Sequence, residues 1–449
     1  MQVNDQYDVE IEKFSNLGTG ITKIDGQIVF VSNACPKDKV RIKITKINKN
    51  FINADIVSIT EPSQYRTNPI CPLQKVCGSC QLGFIDYDYQ LKLKHEIVKD
   101  TMQKIGGLNI DIEYPIASPK TKNYRQKIQY PVSQTKNSKR ILAGYYRSNS
   151  HEIVNIKYCP IHPEICDEII DFIREKALEY KISGYNEYNH TGDIRHIVIR
   201  GSEYKNELLI VLVVNSKQVG HNLKHFSESI YNKFEQVCGV CINFNSKQTN
   251  VIIGDKTECI AGRDFVEEKI LDKVFKIGAD TFFQINPKSA ENIFKYVKDE
   301  VNKFENPTVL DAYAGIAAFG IIVSDVSKSV VSVESNKNSI EKAKEVLDEN
   351  NIKNVELFAQ DTTKYLKSIK KKFDIVILDP PRKGCTRESL DEALTHTKKE
   401  IIYVSCNPAT LARDLKYLVS KGCKVESIQP FDMFCHTYHV ENVAIIKVN

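Results

Sequence analysis

The sequence predicts an α/β chain whose C-terminal part is an open, doubly wound parallel sheet, preceded by a small all-β barrel and a mixed α+β region. Three observations carry this. From about residue 276, short apolar runs of strand length alternate with helical periodicity. Residues 1–60 instead alternate apolar and polar positions between glycine-containing turns. The stretch Tyr403-Val404-Ser405-Cys406-Asn407-Pro408-Ala409-Thr410-Leu411-Ala412-Arg413-Asp414 opens as a buried strand, breaks, and restarts as a helix. Asn407 suits its N-cap and Pro408 its first turn.

Length and composition set bounds. The chain has 449 residues, enough for two or three domains with a sizeable core. No apolar run is long enough for a transmembrane helix, and no signal peptide is visible after Met1. Thirteen cysteines in that context imply a reducing, cytoplasmic compartment, where they serve as thiols, metal ligands or nucleophiles rather than disulfides. The net charge of +5 leans toward a polyanionic partner. That lean is discounted because Lys, Asn and Ile are abundant throughout. Neither a membrane partner nor an obligate protein partner is expected.

In chain order, Tyr7 to Glu12 and Val40 to Ile44 alternate as strands. Asn16-Leu17-Gly18-Thr19-Gly20 and Asp25-Gly26 between them are turn signals, which suggests an OB-type barrel over residues 1–60. An RNA-binding barrel and a plain structural one both fit. Next, Cys71, Cys77 and Cys80 lie close together, with Cys159 far downstream. Four thiolates suit an iron–sulfur cluster or zinc. The five-residue gap between Cys71 and Cys77 is not the paired zinc spacing and tilts the reading to iron–sulfur. Cys166 is a rival for Cys159.

Residues 87–105 carry helical periodicity and stop at Gly106-Gly107. Arg125 and Lys127 then share one face of a strand, a pattern that suits an RNA backbone or an ordinary solvated face. Residues 61–275 read as a central α+β domain. Residues 276–449 read as the parallel α/β domain, with helix 87–105 a candidate to pack on it. Its strands are placed at Thr308 to Tyr313, Ser329 to Val333, Val355 to Ala359, Phe373 to Leu378, Ile401 to Val404, Lys424 to Ile428 and His439 to Val448. A loop with Gly315 after the first strand and an acid, Glu334, ending the second fit an adenosine-type cofactor, the acid taking the ribose hydroxyls.

Cys406 lies between a strand's C-terminal end and a helix's N-terminal end. The positive end of the helix is expected to favour its thiolate. Ordinary burial of a small apolar side chain is the alternative.

Together these residues resemble the RNA (uracil-5-)-methyltransferase family, in its form with an N-terminal TRAM domain and an iron–sulfur cluster. The resemblance runs over nearly the whole chain. Ser405 to Asp414 is similar to the family's nucleophile motif. Asp379-Pro380-Pro381-Arg382-Lys383-Gly384, Phe282-Phe283-Gln284-Ile285-Asn286-Pro287 and His439-Val440-Glu441-Asn442-Val443 are further matches. The resemblance implies a Rossmann-like class I methyltransferase domain using S-adenosylmethionine. It implies Cys406 as nucleophile and Glu441 as base, with Gln284, Tyr313, Gly315, Glu334, Asp361 and Asp379 around the cofactor and target base. Cys71, Cys77, Cys80 and Cys159 would hold a 4Fe-4S cluster, with zinc as the runner-up. The implied substrate is a uridine of 23S ribosomal RNA, with transfer RNA as the alternative.

The chemistry asks for such a site. Carbon 5 of uracil is a poor nucleophile. A thiolate adding to carbon 6 makes the ring an enolate that can take a methyl group, and a base must then remove the carbon-5 proton. The ring must be flipped out to reach the sheet edge. The sequence departs from the family at Ala317, where a second glycine is usual, at Ala318, and at Ser79 in the cysteine motif. Ala317 and Ala318 support a rival reading, a catalytically weak RNA-binding or RNA-folding factor. A redox enzyme using the cluster is a third.

Overall fold

The computed structural model describes residues 1–148 and 150–448. Its first six strands, from Gln6–Glu10 to Ile52–Glu61, form one sheet. Every second residue of Lys39–Ile47 points inward, so Val40, Ile42 and Ile44 join Ile11, Val29 and Val31 in a core of their own. Asp25 and Gly26 both have positive φ, at 49° and 80°. They form the two-residue turn that a tight hairpin needs between Gly20–Ile24 and Gln27–Ser32.

The middle of the chain builds a second six-stranded sheet, in which Glu207–Val214 lies between Ile194–Ser202 and Val237–Phe244. Every residue of Glu207–Val214 is buried. One face packs under helices Glu164–Glu179 and His221–Lys233. The other, with Val198, Leu209, Val211 and Val213, shares a core with Phe275, Phe283 and Phe294 of the C-terminal half. Burial on both faces is why this strand reads as an unbroken apolar run.

The C-terminal sheet has seven strands: β1 Thr308–Ala312, β2 Ser329–Glu334, β3 Val355–Ala359, β4 Phe373–Leu378, β5 Thr397–Ser405, β6 Lys424–Phe431 and β7 Glu441–Lys447. Their order is 3-2-1-4-5-7-6. Strands β1 to β5 pair in parallel, and β7 runs antiparallel between β5 and β6. The C-terminal ends of β1 and β4 therefore meet at the topological switch point, where open α/β sheets bind ligands. β5 starts four residues before the apolar run that marks it, because Thr397 pairs with Phe373.

Helix α1, Tyr87–Thr101, runs into a π-turn that ends at Gly107 in the left-handed region, φ 65°. Val98 and Met102 share a core with Leu411 and Leu415. At its other end, buried Lys94 bonds Asp432 at 2.5 Å and the Phe434 carbonyl at 3.0 Å, while Tyr87 donates to Asp432 at 2.8 Å. These bonds hold the segment that leads into β7. Among the described residues no helix is long and apolar enough to cross a membrane.

Candidate active site

Cys406 stands one residue past the end of β5, and Glu441 is the first residue of β7. Ser405 pairs with Asn442 in the antiparallel register, which sets Cys406 and Glu441 across from each other at the sheet edge. The Asn442 side chain donates to the Ser405 carbonyl at 3.3 Å and ties the two strand ends together. Beyond Cys406, helix α2 (Pro408–Ser420) starts with Pro408 in its first turn, and Asn407 accepts from the Ala409 amide at 3.1 Å.

The loop after β4 is laced to this helix. Asn407 and Thr410 donate to the Arg382 carbonyl at 3.2 and 3.3 Å. Arg413 donates to the carbonyls of Lys383 and Cys385 at 3.0 and 3.1 Å. Asp414 accepts from the Tyr403 hydroxyl at 2.7 Å and the Cys385 amide at 2.9 Å. The arginine and aspartate of the nucleophile motif thus fix the Asp379–Gly384 loop against Cys406.

The electrostatics correct one expectation. The helix N-terminus does not leave Cys406 a ready thiolate: burial, then the Glu441 carboxylate, push the thiol up to about 11, against which Arg382 and its hydrogen bond pull down. Desolvation outweighs the helix end. Burial and Asp379 raise Glu441 to about 8, and burial and Asp311 raise Asp379 to about 7. Glu441 is 5% exposed. Its carboxylate makes no hydrogen bond among the described residues, so its lone pairs are uncommitted. The rival thiols are less open: Cys385 is 6% exposed and Cys435 fully buried, whereas Cys406 is half-buried.

At the β1–β2 edge, the Gly315 amide donates to Glu334 at 3.0 Å, and Glu334 also accepts from the Asn336 amide at 2.8 Å. A Cβ on Gly315 would meet only open space. Tyr313, Gly315 and Ala317 have φ of 61°, 57° and 57°. The tight turn therefore wants glycine at 317, and the buried Ala317 holds a conformation that its Cβ disfavours. Tyr313 bonds Ser389 at 2.6 Å. Asp361 is exposed and caps its own helix through the Lys364 amide at 3.0 Å. Gln284 is half-buried in the loop before helix Pro287–Val301. Asn286 secures that loop by donating to the Met433 carbonyl at 3.2 Å.

Cys71, Cys77, Cys80 and Cys159 line one cavity with Tyr145 and Pro160. Burial and the other thiols raise Cys80, and burial, the Asp167 carboxylate and then the other thiols raise Cys159 to about 12. Cys166 does not line this cavity and packs in the core under its helix. As the side chains stand, no three His, Cys, Asp or Glu groups among the described residues are gathered closely enough to hold a metal ion. The donor set itself suits a thiolate-bound metal, since four sulfurs face one space and would shed their protons on binding.

Residues 86–448 match the family described as tRNA (uracil-5-)-methyltransferase, and residues 1–57 match the TRAM domain. The chain belongs to the tRNA (uracil-5-)-methyltransferase family. An uncharacterised RNA methyltransferase of Clostridium acetobutylicum is 37% identical over 99% of this chain and 97% of its own length. One from Bacillus cereus is 35% identical over 100% and 97%. Among solved structures, the Pyrococcus abyssi tRNA (uracil-54, C5)-methyltransferase in complex with S-adenosyl-L-homocysteine covers 98% of this chain and 100% of its own, at 26% identity and TM-score 0.77. The expected fold is borne out: a methyltransferase sheet behind an N-terminal TRAM domain built from strands. This is an S-adenosylmethionine-dependent RNA (uracil-5-)-methyltransferase by family.

Three residues of the methyltransferase were given no role by sequence reasoning. Arg382 lies inside a quoted motif, and its charge beside Asp379 was the available signal. His439 contacts Arg382 at 3.5 Å and is pushed down to about 4 by burial and that arginine. Asp311 is fully buried in β1, where it accepts from the Gly320 amide at 2.9 Å and from Ser332 at 3.1 Å. Its polarity in the middle of an apolar strand was the signal.

Proposed function

We propose that this methyltransferase modifies carbon 5 of a uridine in RNA through a transient bond between Cys406 and carbon 6, with Glu441 as the base that completes the cycle. The observation that carries the reading is the position of Cys406 and Glu441, each one residue beyond the Ser405–Asn442 pair that ends the β5–β7 ladder, with the Glu441 charge acting on the thiol. S-adenosylmethionine, when bound, supplies an electrophilic methyl group. The strand-end acid Glu334, the open turn at Gly315 and Tyr313 would hold it, with Gln284, Asp361 and Asp379 nearby.

The residues divide the work as follows. Cys406, partly open to solvent, gives its proton to water before it attacks, and the Arg382 guanidinium favours the thiolate that forms. Adding sulfur to carbon 6 moves the ring's electron pair toward carbon 5 and the carbonyl oxygen. The Arg382 guanidinium is the donor for that oxygen. After methylation, Glu441 takes the carbon-5 proton, the ring double bond re-forms and Cys406 leaves. Glu441 is matched to that task, because a carboxyl titrating near 8 is a stronger base than an exposed one. The loop lacing by Arg413 and Asp414 keeps nucleophile and donor in one geometry.

The substrate reading is 23S ribosomal RNA, which rests on the family form with TRAM domain and cysteine quartet. A second reading, transfer RNA, is favoured by the likeness to the Pyrococcus enzyme. Cys71, Cys77, Cys80 and Cys159 are assigned to a 4Fe-4S cluster, or zinc as runner-up. Its role is to pin the Cys159 segment to the Cys71–Cys80 loop. Purified protein, labelled S-adenosylmethionine and unmodified 23S and transfer RNA test the function. Label in 5-methyluridine of 23S RNA is expected. Label only in transfer RNA selects the second reading. Cofactor binding without transfer to any RNA overturns the proposal.

A further inference from the structure

Three cations stand together at the junction of the central sheet and the Gln284 loop. In Lys127–Gln134 the side chains of Ile128 and Tyr130 enter the core under the central helices, so Lys127 turns to the opposite face; Arg125 before it instead lies over the Tyr145 ring and donates to the Lys127 carbonyl at 3.0 Å. Lys127 pairs directly with Arg200 on the neighbouring strand. Arg200 shares its face with Val198, which packs toward the C-terminal half. The same corner is tied to the loop that carries Gln284. The Gln126 amide donates to the Ile285 carbonyl at 2.7 Å, and Arg200 donates to the Thr281 carbonyl.

None of the three cations has a carboxylate ion-pair partner among the described residues. Arg200 is 3% exposed, and its Nε has no hydrogen-bond partner. Asp280, the acid acting on Arg200, is exposed and accepts instead from Asn338 at 2.9 Å. Burial and the two arginines push the Lys127 amine down to about 7. Positive charge taken out of water without a counterion is costly, and a bound anion removes that cost.

We infer that Lys127 and Arg200, with the Arg125 charge behind them, form an anion site that receives a backbone phosphate of the RNA beside the target uridine. This rests on the RNA methyltransferase reading above, and it assigns a binding contact outside the reacting atoms. Lys127 is the contact that can be removed most cleanly, because it makes no hydrogen bond to the described residues through its amine.

The test compares wild type, Lys127→Met and Lys127→Arg. RNA affinity is measured across salt concentrations, together with S-adenosylmethionine affinity and thermal melting. Lys127→Met is expected to bind RNA roughly 10- to 100-fold more weakly, as for loss of one charge-assisted contact. Its salt dependence should be shallower by roughly 0.7–0.9 in slope, the signature of one phosphate contact. Lys127→Arg should restore most of the affinity, and cofactor affinity should hold in both. Wild-type RNA affinity and slope in Lys127→Met would overturn the inference. So would weakened cofactor binding with RNA binding intact, because the anion would then be the cofactor's carboxylate. If wild type binds RNA but methylates none, and Lys127→Met still weakens binding, the anion site stands and the methyltransferase reading falls.

Discussion

The sheet edge and the cysteine cavity both hold thiols that burial pushes upward, yet they are built for different work. Around Cys406 stand a carboxyl, Glu441, and a guanidinium, Arg382, and the thiol is half-open to solvent. Around Cys159 stand three other thiols and an aromatic wall, and the nearby Asp167 carboxylate accepts from the Cys159 amide at 3.0 Å without lining the space. A raised thiol pKa therefore does not separate nucleophile from ligand, since burial pushes Cys406 up to about 11 and Cys159 up to about 12. Neighbours do: one thiol stands beside a carboxyl at a strand end, whereas the other four line a shared cavity.

The harshest way to break this contrast is Cys406→Ala. It should lower methyl transfer by roughly 10,000-fold or more while RNA and cofactor still bind, as expected when a nucleophile is lost. Activity near wild type in that variant would put the chemistry elsewhere. Glu441→Gln should slow turnover by roughly 100- to 10,000-fold and leave a methylated protein–RNA adduct. It should also lower the Cys406 thiol pKa below 11, because the neighbouring carboxylate is what raises it beyond burial. Alkylation rate against pH reads that shift.

The same variant has a stability signature. The folded-state pKa of Glu441 is raised from 4.5 to about 8, so ionising it opposes folding. Glu441→Gln should therefore be more stable than wild type above pH 8, on the order of 5 kcal/mol. The gap should close as pH falls through that window and vanish below about pH 4.5. Denaturant melts at three pH values check this, and a gap that widens in acid would contradict the burial argument.

Cys159→Ser sharpens the other side of the comparison. Anaerobically purified wild type should carry about four irons, by analogy with four-thiolate clusters. The variant should lose them and melt lower, with cofactor affinity unchanged. Full iron in Cys159→Ser and loss in Cys166→Ser would exchange the ligands. The smallest effect is expected from Ala317→Gly. Relief of a left-handed alanine should stabilise the turn by roughly 1 kcal/mol, visible in calorimetry and as modestly tighter cofactor binding. Weaker binding would mean that the buried methyl group packs usefully.

Much of this architecture was legible because it lies in local signals. The strand–break–helix at Ser405–Pro408 gave Cys406 its place, and the alternating pattern after residue 276 gave the parallel sheet. The electrostatics were not legible. The helix-end argument considered one element, whereas the thiol also faces Glu441 from another strand and lies in a low-dielectric pocket. Arg382 and Asp311 escaped notice for a related reason: their roles come from partners far along the chain. The sequence spacing of the cysteines brought Cys71 to Cys80 together, but the choice between Cys159 and Cys166 needed the cavity.

If Cys406 bonds to the target base and Glu441 releases it, disabling Glu441 should trap the bonded form. The direct measurement is peptide mapping of the adduct trapped in Glu441→Gln, after nuclease and protease digestion. The account predicts one modified peptide, with a methylated uridine attached at Cys406. A crosslink at Cys385 or Cys435, or an adduct that survives in the Cys406→Ala, Glu441→Gln double variant, would contradict it.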